Sequence, residues 1–290
     1  MKECRFMKNK KYLSLLGFSI IGLNILIQNC TYAIGNVSFS DSEIIKKIRK
    51  YDKQIEKHPD KVNLYLERGY LKFCIQDYGS ALEDYVSAEG IAPNNSDIFY
   101  SRGRVWQARQ NFSYALEDFN KALSLNPKDF KSYLSRGILK QQTNDLKGAM
   151  EDLNMAIKYN KHSHTAYINR GIVKDKLGNY EGAMADYNKA LKLCKYAPEA
   201  YYNMGLTKCK TQKYEEAIEC FDKAIAQNPK YGLAYYNRGL AYLKLDNQQY
   251  AKSDLIMARQ LCPYNSKIKE DLEKLKQELK DMLKEEEIYY

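Results

Sequence analysis

The chain repeats itself every 34 residues. Gly69, Gly103, Gly137, Gly171, Gly205 and Gly239 form one row of small residues. Ala81, Ala115, Ala149, Ala183, Ala217 and Ala251 form a second, and Ala88, Ala122, Ala156, Ala190, Ala224 and Ala258 a third. Three rows in phase through six copies, without an insertion, confine the chain to an array of like units. Each copy reads as two helices. The first begins around Tyr65, Phe99, Tyr133, Tyr167, Tyr201 and Tyr235 and ends in a turn such as "QDY" (76–78), "QNF" (110–112) or "LGNY" (177–180). The second runs through the third row and a little beyond. Pro93, Pro127, Pro229 and Pro263 then stop it, because proline cannot continue a helix. Lys161 and Lys195 stand at that place in the middle copies with no change in length.

Residue size says where the helices touch. Small residues mark the closest approach of two helices, and aromatic or large rows fill the space beside them: Tyr85, Phe119, Leu153, Tyr187, Phe221 and Leu255 on the second helix. One helix pair cannot bury its apolar faces alone, so neighbours must stack into a solenoid.

At these residues the chain resembles the tetratricopeptide repeat family, whose pattern runs aromatic-x2-Leu-Gly-x2-Tyr, then Ala-x3-aromatic, then Ala, then Pro. The resemblance covers residues 62–265, about 70% of the chain. Arg usually replaces the Leu before Gly, and Lys72, Lys140, Lys174 and Lys208 replace the later Tyr. The resemblance implies an all-α fold, a right-handed α-solenoid of six helix-turn-helix repeats at 62–95, 96–129, 130–163, 164–197, 198–231 and 232–265. A linker and N-terminal capping helix are expected over 34–61, and a C-terminal capping helix over 266–290.

In five copies Arg precedes the Gly and Asp lies sixteen residues on: Arg68/Asp84, Arg102/Asp118, Arg136/Asp152, Arg170/Asp186 and Arg238/Asp254. The fifth copy has Met204 and Cys220 instead, so both members change together. Removing one partner of a buried ion pair strands the other, whereas replacing both by apolar groups is nearly neutral. The pairs are therefore expected to be structural ion pairs within each hairpin. Lys72, Lys140 and Lys174, four residues past their Arg on one helical face, are placed to share the Asp.

The segments outside the array read differently. Residues 1–33 carry Lys2, Arg5, Lys8, Lys10 and Lys11, then the 16-residue apolar stretch Tyr12–Ile27. That is short for a spanning helix, which needs about 20 residues, and suits a signal peptide or an uncleaved anchor. Met7 offers a tidier start than Met1. Thr31-Tyr32-Ala33 offers ordinary cleavage, and Cys30 offers lipidation, though Asn29 before it is not the small residue a lipobox wants. Ser40 and Glu43 make a capping box for a helix whose Ile44, Ile48, Tyr51 and Ile55 form one apolar stripe. Ile268, Leu272, Leu275, Leu279 and Met282 make a 4-3-4-3 stripe suited to capping or to a short coiled coil. A helix over 266–287 spans about 33 Å, so its far end overhangs the repeats.

Charge and chemistry exclude several classes. The net charge of +10 falls to +6 without residues 1–33, and the rest is interspersed, unlike a nucleic-acid arm. The seven cysteines form no CxxC pair and no zinc spacing. Whether Cys209 and Cys220 are bridged is left open by sequence. His162 and His164 lack a third ligand nearby, and no phosphate loop, GxSxG or HExxH occurs. No enzyme activity, cofactor or metal is expected.

In tetratricopeptide solenoids the first helices line a concave groove that holds an extended peptide or a partner's helix. By that resemblance the groove comprises Tyr202 and Tyr236, the ladder Asn169, Asn203 and Asn237, and the row Lys176, Lys210 and Lys244. Asn side chains can pair with an extended backbone, and the Lys row suits an acidic segment. The places that grip a chaperone tail in some family members hold Leu66, Tyr70 and Ser101 here, which argues against that ligand. The expected function is a non-enzymatic interaction scaffold of a bacterial cell envelope, exported, touching membrane only through its N-terminus. Two alternatives stand beside it: a self-assembling protein, a homodimer through 266–287, and a metal-dependent accessory protein resting on His162/His164 or the cysteines.

Overall fold

A computed structural model describes residues 41–274 and 277. The export segment expected over 1–33, Cys30, Ser40 and the far half of the capping helix expected over 266–290 lie outside the described residues. Among the described residues no helix is long and apolar enough to cross a membrane.

The described residues form helices joined by short turns. The chain opens with α1 (Asp41–Lys57). Six hairpins come next: α2 (Val62–Cys74) with α3 (Tyr78–Ile91), α4 (Ser96–Ala108) with α5 (Phe112–Leu125), and α6 (Phe130–Gln142) with α7 (Leu146–Tyr159). Then come α8 (His164–Lys176) with α9 (Tyr180–Leu193), α10 (Pro198–Lys210) with α11 (Tyr214–Gln227), and α12 (Gly232–Lys244) with α13 (Gln248–Leu261). Residues 266–274 are helical again. This is an all-α helical repeat solenoid. Its first helices start three residues before the aromatic row, at Val62 rather than Tyr65, because the aromatic residue sits in the first turn rather than at its start. Two compact units divide at Asn169 and Arg170, inside α8.

Each hairpin turn contains one residue with positive φ: Gln76, Gln110, Asn144, Gly178, Gln212 and Asp246. This left-handed residue turns the chain back on itself, and only Gly178 adopts it without steric cost. Side chains cap several second helices: Asp77 accepts from the Ser80 N–H at 3.2 Å, Asp145 from Gly148 at 2.9 Å and Asn179 from Gly182 at 2.9 Å.

The two helices of a hairpin meet where the Gly row faces the aromatic row. A Cβ on Gly171 would stand 2.5 Å from Tyr187 Cε1, and one on Gly205 2.5 Å from Phe221 Cε1. Where the facing residue is Leu the fit is looser, 3.0 Å from Gly137 to Leu153 Cγ. The Ala rows are wholly buried beside these rings. In the first unit Phe73, Tyr85, Ile98 and Val105 join one core that spans the first two repeats. In the second unit Tyr202, Phe221 and Tyr231 do the same, with ring centroids 6.0 and 4.9 Å from Tyr202.

Both flanks dock on the array. Helix α1 packs on α2, buries Ile44 and places Asp52 2.7 Å from Arg68. Residues 266–274 bury Ile268 and Leu272 completely or nearly so. Ile268 lies 34 residues after Ala234, so this segment takes the place of a further first helix.

Two substitutions test this packing by urea unfolding monitored by circular dichroism. Gly171→Ala should destabilise by about 1–3 kcal/mol, the usual cost of overpacking, whereas Gly90→Ala, with nothing within 4 Å, should be neutral or stabilising by up to about 1 kcal/mol. Separately, Gln212→Gly should raise stability by several tenths of a kcal/mol, because its φ of 60° suits glycine.

Candidate functional site

The Arg–Asp pairs come first, because they fix the helices that carry the candidate face. Arg68 holds Asp84 at 2.6 Å, Arg102 holds Asp118 at 2.8 Å and Arg136 holds Asp152 at 2.6 Å. Arg170 holds Asp186 and Arg238 holds Asp254, each at 2.7 Å. Nε and Nη2 donate to the two carboxylate oxygens in fork geometry in Arg102, Arg136, Arg170 and Arg238. The guanidinium also lies over the aromatic ring three residues earlier, 5.4 Å from the Phe99 and Tyr235 centroids.

The Arg does more than join its own hairpin. Its Nη1 reaches the preceding second helix: Arg136 donates to Asn120 at 2.6 Å, and Arg238 pairs with Asp222. Arg68 reaches Asp52 of α1 in the same way. All three acceptors lie sixteen residues before their Arg, a relation that sequence reading missed although the spacing displays it. At the equivalent place before Arg102 stands Val86, so that Arg turns to Glu89 instead. These contacts raise the Arg102 pKa, the Asp118 hydrogen bond acting most strongly against desolvation. Burial pushes the Asp118 carboxyl up, partly offset by Arg102.

Lys72, Lys140 and Lys174 share the Asp at 3.0, 2.9 and 2.8 Å. In the fifth hairpin the Asp is absent, and Lys208 pairs with Glu216. In the second and sixth, Trp106 and Tyr242 occupy the Lys place and pack on Tyr114 and Tyr250, centroids 5.2 Å apart in both. Residues eight apart thus change in concert, another signal that went unread. Gly148 stands opposite Lys140, whose Cδ would lie 3.0 Å from a Cβ there.

The residues assigned to the groove fare unequally. Tyr202 is buried, 5% exposed, its ring between Phe221 and Tyr231 and its hydroxyl accepting from Asn237 Nδ2 at 3.1 Å. Burial pushes its phenol up to about 12. Tyr202 therefore belongs to the packing between repeats and offers no face to a partner. Asn169 is 2% exposed and likewise internal; its Nδ2 donates to the Thr165 carbonyl at 2.8 Å, and its buried Oδ1 has no partner. Asn203 and Asn237 are half-buried and donate to their own helix, at Glu199 (2.7 Å) and Leu233 (2.9 Å). Tyr236 is half-buried and donates to Asp271 at 2.5 Å, so the 266–274 helix covers it. Burial first, then this bond, raises its pKa.

Lys176, Lys210 and Lys244 are exposed, and each is the last residue of its helix. That place favours cations, because the final carbonyls carry partial negative charge. Lys210 pairs with the buried carboxylate of Asp175, whose other oxygen accepts from Thr207 Oγ1 at 2.7 Å. Leu206 and Leu240 lie half-buried between the Asn and Lys places.

Among the described residues the cysteines and histidines gather into no metal cluster. Cys209 and Cys220 are both free thiols. Burial, then the neighbouring Cys220, pushes Cys209 up to about 11. His162 lies in the α7–α8 turn, where its backbone N–H donates to Asn160 Oδ1 at 3.1 Å. Among the described residues no group of three or more His, Cys, Asp or Glu is placed to hold a metal ion.

Comparison with known proteins fits this geometry. The TPR repeat family model matches residues 176–212 and 207–246. No curated protein matches the chain in sequence. A chain of the Cut9–Hcn1 hetero-tetramer of the APC/C superposes with a TM-score of 0.72 at 16% identity, covering 88% of this chain and 52% of that one. This chain thus spans about half the length of that relative. PilW, a type IV pilus biogenesis factor, gives 0.67 at 21% identity, covering 73% and 98%. YrrB, a TPR protein with an unusual peptide-binding site, gives 0.50 at 23% identity, covering 63% and 95%. The chain has the fold of these tetratricopeptide repeat structures, and part of it, within residues 176–246, matches the repeat's family model.

The shared lysine separates two kinds of Arg. Arg102→Met should cost about 3 kcal/mol in urea unfolding, since it strands Asp118. Adding Asp118→Cys should restore most of the loss. Arg136→Met should cost clearly less, because Lys140 keeps Asp152 at 2.9 Å; equal losses would refute the clamp.

Proposed function

We propose that this protein is a non-enzymatic interaction scaffold of a bacterial cell envelope, exported through residues 1–33, which holds an extended peptide or helix of a partner on the first-helix face of its last three repeats. One observation carries the reading. On α10 and α12 the half-buried Asn203 and Asn237, the half-buried Leu206 and Leu240, and the exposed Lys210 and Lys244 recur in one order along neighbouring helices. Apolar ground flanked by amide and ammonium groups suits a segment that is apolar on one side and acidic on the other. Tyr202 and Asn169 drop out of the contact set, because both are spent inside the array.

The likeness to PilW, named for type IV pilus biogenesis, and to YrrB, named for a peptide-binding site, supports the choice of envelope and peptide without carrying either. Nothing in the reading needs a metal, a cofactor, a nucleic acid or a catalytic group.

The test compares capture of envelope proteins by the exported form and by a variant carrying Asn203→Ala and Lys244→Glu. The variant should keep its helical circular dichroism and lose at least about tenfold of its captured partner, the equivalent of about 1.4 kcal/mol. Equal capture by both would remove the first-helix face from the function.

A further inference from the structure

Lys210 and Lys244 hold the same place in neighbouring repeats, yet they stand in different charge surroundings. Each ends its first helix. The residue 35 places before each lies on the preceding first helix: Asp175 for Lys210 and Cys209 for Lys244. Asp175 is a carboxylate, 8% exposed, and its Oδ2 pairs with the Lys210 ammonium. Cys209 is a free, half-buried thiol. Burial, then Cys220, pushes that thiol up to about 11, so it stays uncharged near neutral pH. Among the described residues no carboxylate pairs with Lys244.

Asp175 holds Lys210 more firmly than a surface ion pair would. Its other oxygen accepts from Thr207 Oγ1 at 2.7 Å, and Thr207 is 1% exposed. Tyr187 is equally buried beside them; burial, then the charge of Asp175, pushes its phenol up. The carboxylate is therefore out of water, compensated by one hydroxyl and one ammonium. Were Lys210 to turn to a partner's acid, Asp175 would keep its charge in a buried place with the Thr207 hydroxyl alone. A charge stranded in this way costs more than an exposed ion pair gains. Lys210 is thus spent within the array, as Arg170 and Arg238 are, although it lies at the surface.

We propose that Asp175 is a specificity-determining residue of the partner-binding face: it neutralises Lys210 from within, so that Lys244 alone reads an acidic residue of the partner. This rests on the face assigned above and fixes what that face selects. Neighbouring packed helices lie about 10 Å apart. A segment that crosses α10 and α12 therefore gains from an acid over α12. It gains nothing from a second acid over α10, where Leu206 and Asn203 remain as the contacts.

The first experiment needs no partner. The full chain is treated with a limiting amount of an acetylating N-hydroxysuccinimide ester, and the rate at each lysine is read by peptide mass spectrometry. Lys210 should react at least about threefold more slowly than Lys244. Asp175→Asn should remove that difference and leave the Lys244 rate unchanged. Equal rates in the unsubstituted chain would overturn the proposal, and that comparison needs no variant to fold. The second experiment follows a fluorescein-labelled peptide of alternating glutamate and leucine by anisotropy. Lys244→Met should weaken its binding and Asp175→Asn should strengthen it, each by at least about threefold. Adding Lys210→Met to Asp175→Asn should return the affinity to that of the unsubstituted chain. No gain from Asp175→Asn, or a gain that survives Lys210→Met, would overturn the proposal. If the peptide binds neither the unsubstituted chain nor Asp175→Asn, the partner-binding face is what fails, and the acetylation rates decide on Asp175 separately.

Discussion

Everything in this solenoid depends on how closely two helices approach inside one hairpin. The approach is set where a glycine meets the edge of an aromatic ring, as at Gly171 on Tyr187 and Gly205 on Phe221. At that separation a guanidinium on the residue before the glycine can span to a carboxylate on the facing helix and bind both of its oxygens. A larger residue at the glycine would press on that ring and push the helices apart, against the fork. The ion pair is thus a consequence of the small-residue row, and both hold only because neighbouring hairpins cover the rings.

The guanidinium then does a second task. Its remaining nitrogen reaches back to the preceding second helix, to Asp52, Asn120 or Asp222. A single side chain therefore closes its own hairpin and ties it to the one before. This explains why the fifth hairpin changes two residues and not one. With Met204 no donor faces a carboxylate, and Cys220 fills the place with a small apolar group instead of a stranded charge. Lys208, released from an Asp it would otherwise share, finds Glu216. The same logic exchanges Lys and a small partner for packed aromatic rings in the second and sixth hairpins. At the place four residues past the Arg or Met each hairpin carries either a lysine or a packed ring pair, and the second and sixth keep their Arg–Asp pair beside the rings.

The fold was legible because its causes lie at fixed spacing within one repeat. Gly, Ala and aromatic rows recur at 34, and the Arg–Asp pair at sixteen, so a reader of the letters meets each constraint six or five times. The candidate site was legible only in part. Tyr202 looks like a surface residue on its own helix, yet it is buried and its hydroxyl meets Asn237 of the next repeat. That contact lies 35 residues away, one place out of phase with the repeat, so stacking the copies in register hides it. Tyr202 with Asn237, Asp175 with Lys210 and Gln107 with Gln142 all obey that offset. Reading the sequence at 35 as well as 34 separates residues that join repeats from residues left for a partner.

The same offset decides what an end of the array can offer. Inside the array each first helix spends polar groups on its successor. The helix at 266–274 acts as such a successor for α12 by taking the Tyr236 hydroxyl onto Asp271. Coverage by a successor reaches the middle of the helix face first, where side chains at successive turns interlock. It does not reach the last residue, whose side chain projects past the final turn beside carbonyls that lack an intrahelical partner. A lysine there is favoured by the partial negative charge of those carbonyls and still exposes its side chain. That is the situation of Lys244, while Lys210 adds Asp175 beneath it. The edge is thus the part of the face that stacking leaves open, and its charge comes from the same helix-end chemistry that stabilises the scaffold.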